Sequence, residues 1–292
     1  MSGSTPDPGL ASEYLLGHSE RELDRLQAQA RLIDPVTRRF FHDAGVGPGI
    51  RVLDVGSGAG DVAFLVADLV GDSGEVVGAD RVAAALETAR TRAAARSLRN
   101  VSFRVGDPAE MTFERPFDAV VGRYVLQFQQ NPAAMLRKLA AQVRPGGVVV
   151  FHELDWGGVA SFPPAPTLDR CCRWGRETLR LHGTETRMGI KLYSTFVAAG
   201  LPPPRMRLEA LVGGGANGLD LLRLAANLVA TLLPEMERLG VATAADVGLD
   251  TLLARMRDEA IALSSVIVGT YQIGAWSRVE AAGMKTRGEG AI

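Results

Sequence analysis

The chain alternates between short apolar runs and longer segments in which apolar residues recur every three or four positions. From Ser12 to Ala44, Leu15, Leu16, Leu23, Leu26, Ala30 and Ile33 fall at roughly helical spacing. Pro35 interrupts this segment, because proline has no amide proton for the helical ladder, so two helices are expected ahead of the first strand. Gly45 to Gly49 supplies a loop, and Arg51 to Val55 suits a short buried strand.

The pattern then alternates regularly. Helices are expected at Asp61 to Leu69, Val82 to Ser97 and Pro132 to Gln142, and strands at Glu75 to Ala79, Val101 to Val105, Phe117 to Val121 and Val148 to His152. Asp72 with Gly74, Asn100, Pro116, and Pro145 with Gly146 and Gly147 stand where turns are needed. Such alternation implies a parallel sheet covered on both faces. Beyond Trp156 the rhythm loosens into a proline-rich loop, Phe162 to Pro166, then helices from about Thr167 to Leu181 and Leu192 to Ala199. Strand-like segments return at Met206 to Val212 and Val266 to Trp276, with two helices between them, so Asn217 to Leu263 reads as an insertion.

Composition narrows the classes of partner. The chain has 292 residues and a formal net charge of −1, with no lysine or arginine cluster dense enough to follow a phosphate backbone, so nucleic acid is not expected. Leu224 to Leu233, between Arg223 and Pro234, is the longest strongly apolar run and falls far short of the roughly 20 residues that span a bilayer. Met1 to Gly9 lacks the basic start and apolar stretch of a secretion signal and reads as a disordered tail. Cys171 and Cys172 are neighbours, a spacing unsuited to a mutual bridge or to metal ligation. A soluble, cytoplasmic protein without a metal site is expected.

The most informative segment is Val52 to Asp61, where a strand turns through Gly56, Ser57, Gly58, Ala59 and Gly60 directly into a helix. Glycines there permit unusual backbone angles and close approach of a ligand to the main chain. A dinucleotide site would want a third glycine where Asp61 stands, and an acid would repel pyrophosphate over a helix N-terminus. Asp61 and Asp54 suit instead a ligand with a cationic amino group. Asp80 ends the next strand about 20 residues on, where an acid can accept from both ribose hydroxyls. The following strand ends in Gly106-Asp107-Pro108-Ala109-Glu110-Met111, with Asp107 placed to accept an adenine amino group.

These motifs resemble those of the class I S-adenosylmethionine-dependent methyltransferases, in particular the group related to ubiquinone and menaquinone biosynthetic enzymes. The resemblance runs in order from about Pro48 to Asp155: Val52 to Asp61, Val77 to Asp80, Gly106 to Met111, Phe117 to Val121, and Val143 to Gly147 before Val148 to Phe151. Ser57 stands where relatives often carry cysteine. The resemblance implies a doubly wound, Rossmann-like α/β fold with a seven-stranded sheet, mostly parallel, whose last strand is antiparallel, plus N-terminal helices and a helical insertion. It divides the chain into a tail and helical lid (1–47), a cofactor-binding core (48–155) and an acceptor-side half (156–292) carrying the last two strands and the insertion at about 217–263. S-adenosylmethionine is the implied cofactor, held by Tyr14, Asp54, Gly56, Ser57, Gly58, Gly60, Asp61, Asp80, Arg81, Asp107, Pro108, Ala109, Glu110 and Arg123.

Each acid also has a plainer reading. Asp54 could cap its turn, Asp80 could be an ordinary helix N-cap, and Asp107 could be a turn residue. Arg123 either meets the methionyl carboxylate or pairs with Glu110 or Asp107. Tyr14, His18 and Arg25 either close over the cofactor or form a solvated helix face. A general base is sought in Phe151-His152-Glu153-Leu154-Asp155-Trp156, which leaves the next strand at the ligand-binding edge; strand alternation sends His152 one way and Glu153 and Asp155 the other. The inserted helix Leu219 to Leu233 is apolar over most of its circumference, which fits core packing or the lining of a greasy acceptor site. The function expected is O-, C- or N-methylation of a small, largely apolar molecule in secondary metabolism, with a homodimer left open. The rivals are a nicotinamide-dependent oxidoreductase and a non-catalytic cofactor-binding protein.

Overall fold

The computed structural model describes residues 20–280, with side chains described from Gln29 onward except Ala216. The expectations for Met1 to Gly9, Tyr14 and His18, and for the side chain of Arg25, lie outside the described residues.

Helix α1 (Glu20–Ala44) runs unbroken with Pro35 inside it, where two helices were expected. Ile33, Val36, Phe40 and Phe41 are all buried against the sheet. At roughly 1.5–3 kcal/mol for each buried side chain, their docking outweighs the roughly 3 kcal/mol cost of an interior proline. Tertiary packing overrides the local signal.

The sheet joins β1 (Arg51–Val55), β2 (Glu75–Asp80), β3 (Val101–Val105), β4 (Phe117–Arg123), β5 (Val143–Asp155), β6 (Ala160–Phe162), β7 (Arg205–Gly214) and β8 (Val266–Arg278). Its order is β3-β2-β1-β4-β5-β8, parallel through β5, with β8 antiparallel to β5. Strand β7 lines the far edge of β8, and β6 pairs with residues 266–268 beside β5. The fold is thus the doubly wound, mostly parallel sheet with an antiparallel ending, enlarged by one three-residue strand, not expected from the sequence, that leads into the proline-rich loop. The turn at Pro145 to Gly147 is absorbed into β5: Phe117 pairs with Val143 but Ala119 with Val148, so the extra residues bulge out of the ladder.

Helices α2 (Asp61–Val70) and α3 (Ala83–Ala95) join α1 on one face, around Phe40, Phe64 and Phe103. Helices α4 (Pro132–Ala140) and α6 (Met188–Ala198) cover the other, around Leu136, Phe151 and Phe196. A third apolar cluster joins α5 (Pro166–Leu181) to the insertion, which holds α7 (Leu219–Arg238), the one-turn α8 (Ala244–Val247) and α9 (Leu249–Ala262), three helices rather than two.

A bulge in β8 shapes this end of the molecule. Ala210 pairs with Tyr271 and Val212 with Val268, so Leu211 alone opposes both Gly269 and Thr270. The additional residue reverses the side-chain alternation, and Ile267 and Gln272 come to border the same cavity.

Phe40 sets α1 on the sheet, its ring edge-on to His152 at 4.9 Å and filling the space over Gly274. Phe40→Ala is expected to cost about 3–5 kcal/mol in urea unfolding; a loss under about 1 kcal/mol would show that this contact does not hold α1.

Candidate active site

The carboxyl ends of β1, β2, β4 and β5 meet at one edge, where open α/β sheets bind ligands. Gly56 has φ +67°, and a Cβ there would stand 2.8 Å from the Val125 side chain, so glycine lets the turn after β4 lie against the loop after β1. Around the position of a Cβ on Gly58, by contrast, there is open space. The Gly58 amide donates to Asp80 Oδ2 at 2.9 Å, and Asp80 Oδ1 accepts from the Val82 amide at 2.9 Å. Asp80 therefore ties the glycine loop to the start of α3.

Asp54 is 1% exposed, and neither carboxylate oxygen has a hydrogen-bond partner. Burial pushes its pKa up to about 7, although the Ser57 hydroxyl, outside bonding geometry, is near enough to favour the ionised form. An orphaned buried carboxylate is costly, and a ligand cation removes that cost. Asp61 differs from expectation. Arg92 of α3 reaches back to hold it at 2.6 Å while also donating to the Ala59 carbonyl, so Asp61 is already neutralised by a cation. Asp107 pairs with Arg81 and accepts from the Ala109 amide at 3.0 Å, Glu110 pairs with Lys138, and the Pro108 carbonyl accepts from Gln142.

Arg123 pairs with neither Glu110 nor Asp107. It donates to Asp34 at 2.7 Å and to the Thr37 hydroxyl at 3.1 Å, both on α1. From Thr37 a buried chain continues: Thr37 Oγ1 lies 3.1 Å from His152 Nδ1, His152 Nε2 lies 2.8 Å from Gln272 Oε1, and the Tyr124 hydroxyl donates to that same oxygen at 2.5 Å. Gln272 Nε2 donates to Thr270, which turns Oε1 toward His152 and Tyr124. His152 consequently carries its proton on Nε2, and the one Thr37 hydroxyl proton lies within reach of both its Nδ1 and the Ile33 carbonyl, the latter 3.2 Å from the hydroxyl. Burial lowers its pKa to about 3, so the ring stays neutral. Burial likewise raises the Tyr124 phenol, which keeps its proton. Tyr124 has φ +59°, a left-handed conformation rare for a tyrosine, and its amide donates to the His152 carbonyl at 2.9 Å.

The three expected bases do not reach open space. His152 is fully buried beneath Tyr124 and Gln272. Glu153 is fully buried too, with Oε1 accepting from the Val125 and Leu126 amides at 2.9 and 2.7 Å; burial raises it to about 8. Asp155 accepts from the Gly157 amide at 2.6 Å and from Arg187 at 2.8 Å. Glu153 is thus bonded to the turn after β4 and Asp155 to the turn after β5, and His152 lies beneath Tyr124 and Gln272.

The space these residues were expected to serve is a cavity of about 1180 Å³, including its open mouth, between the sheet edge, α1, α5 and α7. Its walls are mainly apolar, with Leu221, Leu224 and Leu228 from α7 facing Leu154 and Trp156. Tyr124, Gln127, Thr184 and Gln272 contribute polar groups. Sequence reasoning gave Tyr124, Gln272 and Thr184 no role, since none of them belongs to a motif. The signal available for Gln272 was its place, one strand over from His152 in the antiparallel pair.

An open, largely parallel sheet with an antiparallel ending, a glycine-rich first turn and acids at successive strand ends defines a class I S-adenosylmethionine-dependent methyltransferase domain. Residues 47–182 match the family model described as methyltransferase domain. Among curated relatives, the ubiquinone/menaquinone biosynthesis C-methyltransferase UbiE of Coxiella burnetii is 38% identical over 109 residues, 37% of this chain and 44% of that protein. Nocamycin O-methyltransferase of Saccharothrix syringae is 32% identical over 197 residues, 65% of this chain and 64% of that protein. The chain thus spans less than two thirds of either relative. A geranyl diphosphate methyltransferase solved in complex with SAM superposes with TM-score 0.54 at 17% identity, covering 91% of this chain and 94% of that one, a likeness of fold.

S-adenosylmethionine fits the edge on two observations, the unpartnered Asp54 carboxylate and the open backbone at Gly58. An ammonium placed beside Asp54 would favour its ionised form, whereas below pH 7 the carboxyl is protonated and would have to lose its proton on binding. Affinity for S-adenosylhomocysteine, which carries the same ammonium, is therefore expected to rise about tenfold between pH 6 and 8. Calorimetric titration should show this slope in the native protein and its loss in Asp54→Asn; a flat native profile would contradict the assignment.

Proposed function

We propose that this protein transfers a methyl group from S-adenosylmethionine to a small, largely apolar metabolite held in the cavity beside Tyr124. The observation that carries this reading is a junction. Val125 packs on Gly56 of the glycine loop while the preceding residue, Tyr124, lines the cavity, so one turn borders both the donor edge and an apolar space. Bound cofactor supplies a methyl group on a sulfonium, already activated for in-line displacement. The protein's part is to hold two reactants in line and exclude water, which contributes up to roughly 7–11 kcal/mol.

In this reading Asp54 meets the ammonium of the amino-acid moiety, the glycine loop accommodates it, Asp80 meets the ribose and the Asp107 to Glu110 turn meets adenine. Arg123 orders α1 through Asp34 and Thr37. The acceptor half, residues 156–292, supplies α5 and α7 as cavity walls, and 1–47 supplies α1. The near balance of charge supports a small-molecule partner over nucleic acid, and among the described residues no helix is long and apolar enough to cross a membrane, which goes with a cytoplasmic location.

Incubation with methyl-labelled cofactor and a panel of phenols, quinols, prenylated compounds and amines tests the activity, with label expected in at least one hydroxylated apolar acceptor and none in amines that are charged at neutral pH. Binding competence without transfer to any of them would favour a non-catalytic cofactor-binding protein. Asp80→Ala should weaken S-adenosylhomocysteine about 10- to 100-fold, as expected for the loss of charge-assisted hydrogen bonds. An unchanged titration would remove Asp80 from the site.

A further inference from the structure

The sheet is open along one long edge. Strand β7 pairs with β8, and among the described residues nothing pairs with its other side, so alternate residues there carry amides and carbonyls with no strand to meet. Soluble proteins commonly blunt such an edge with lysine, proline or a very short strand. β7 has ten residues, Arg205–Gly214, with neither lysine nor proline among them, and its ladder with β8 is regular from Arg205 to Ala210.

Period-two alternation gives this segment two unlike faces. Arg207 and Glu209 lie on the α1 side, where Arg207 pairs with Asp43 at 2.6 Å and with Glu209 at 3.0 Å, and Arg39 also pairs with Glu209. Met206 and Leu208 lie on the α6 side, in register with Ala275 and Ile273. They stay exposed, Leu208 by 52%. The apolar surface continues onto α6. A Cβ on Gly189 would stand 3.1 Å from the Ile273 side chain, so the flank of α6 that carries Gly189 faces β8. Tyr193 and Val197, four and eight residues further along that flank, are exposed as well. An apolar strip thus borders a run of unpaired backbone groups, the makeup of an association surface.

The order of residues along β7 says which partner fits. About a two-fold axis normal to the sheet each face stays on its own side, so β7 can meet a second copy of itself only in registers centred on a single residue. Centred on Leu208, the pairing sets Leu208 against the partner's Leu208, Met206 against the partner's Ala210, and Arg207 against the partner's Glu209, with each contact repeated by symmetry. Moving the centre to Arg207 or to Glu209 sets like charges directly opposite each other, which is destabilising. The segment is complementary to itself in charge and in apolar face when centred on Leu208.

We infer that β7 is a homodimer interface: two copies of this chain join edge to edge, antiparallel and centred on Leu208, so that one sheet runs through both. The joined strands cover Met206 and Leu208 and give the outward backbone groups of β7 their partners. This inference is independent of the cofactor and acceptor readings and stands or falls without them.

Sedimentation equilibrium of the full chain over a range of concentrations tests it, with twice the mass of one chain expected. Leu208→Lys, at an exposed position, brings two ammonium groups together on the axis and should raise the dissociation constant at least about tenfold while leaving the far-ultraviolet circular dichroism unchanged. Two cysteine variants read the register. Leu208→Cys places two thiols opposite each other, within reach of a disulfide, and should cross-link between chains under mild oxidation. Met206→Cys leaves its two thiols about 13 Å apart along the strands and should cross-link far more slowly. A monomeric native chain, a dimer that Leu208→Lys leaves equally tight, or Met206→Cys cross-linking as fast as Leu208→Cys would overturn the inference.

Discussion

A single buried hydrogen-bonded chain, from Arg123 through Thr37 and His152 to Gln272 and Tyr124, holds the active edge together. It joins α1, β4, β5 and β8, which are scattered over more than two hundred positions of sequence. Each link is buried or nearly so, so the chain is complete only when all four elements are in register. A partly satisfied network of this kind costs more than an apolar one. The consequence for function is that Tyr124, held in a left-handed conformation, keeps one orientation between the glycine loop and the cavity.

Against that satisfied chain stand the buried polar atoms of Asp54, Ser57, Glu153 and Thr184 that have no hydrogen-bond partner. Most buried polar side chains among the described residues are paired, as expected of folded proteins, and in the proposed reading the Asp54 carboxylate finds its partner in the ammonium of the cofactor. Charge is unevenly distributed. Carboxylates crowd the strand-end edge, where Asp61, Asp107 and Glu110 are each paired with a basic side chain and Asp54 is not, while among the described residues the cavity walls carry no formal charge.

Much of the donor half was legible in the sequence because it is local. The strand-to-helix turn through Gly56, Gly58 and Gly60, the acids ending β1 and β2, and the regular alternation of apolar runs all lie within a few residues of the elements they define. The errors arose where distant groups decide. Pro35 was read as a break because its cost is local and the burial of Phe40 and Phe41 that outweighs it is not. Asp61 was read as suited to a ligand's amino group, and its pairing with Arg92 was not legible because Arg92 lies a whole strand and helix away. His152, Glu153 and Asp155 have the composition of a catalytic cluster, yet period-two alternation and backbone amides from other turns direct Glu153 and Asp155 into structural roles. Gln272 is an ordinary residue in sequence, given meaning only by the β8 bulge that turns it toward His152 and Tyr124.

The account turns on where the donor sits relative to Asp54 and Tyr124. A crystal structure grown with S-adenosylhomocysteine tests this most directly. The ligand's ammonium is predicted within hydrogen-bonding distance of Asp54, its ribose on Asp80, and its sulfur turned toward the Tyr124 end of the cavity. Density elsewhere on the sheet edge, or a ligand whose amino group leaves Asp54 unpartnered, would contradict it.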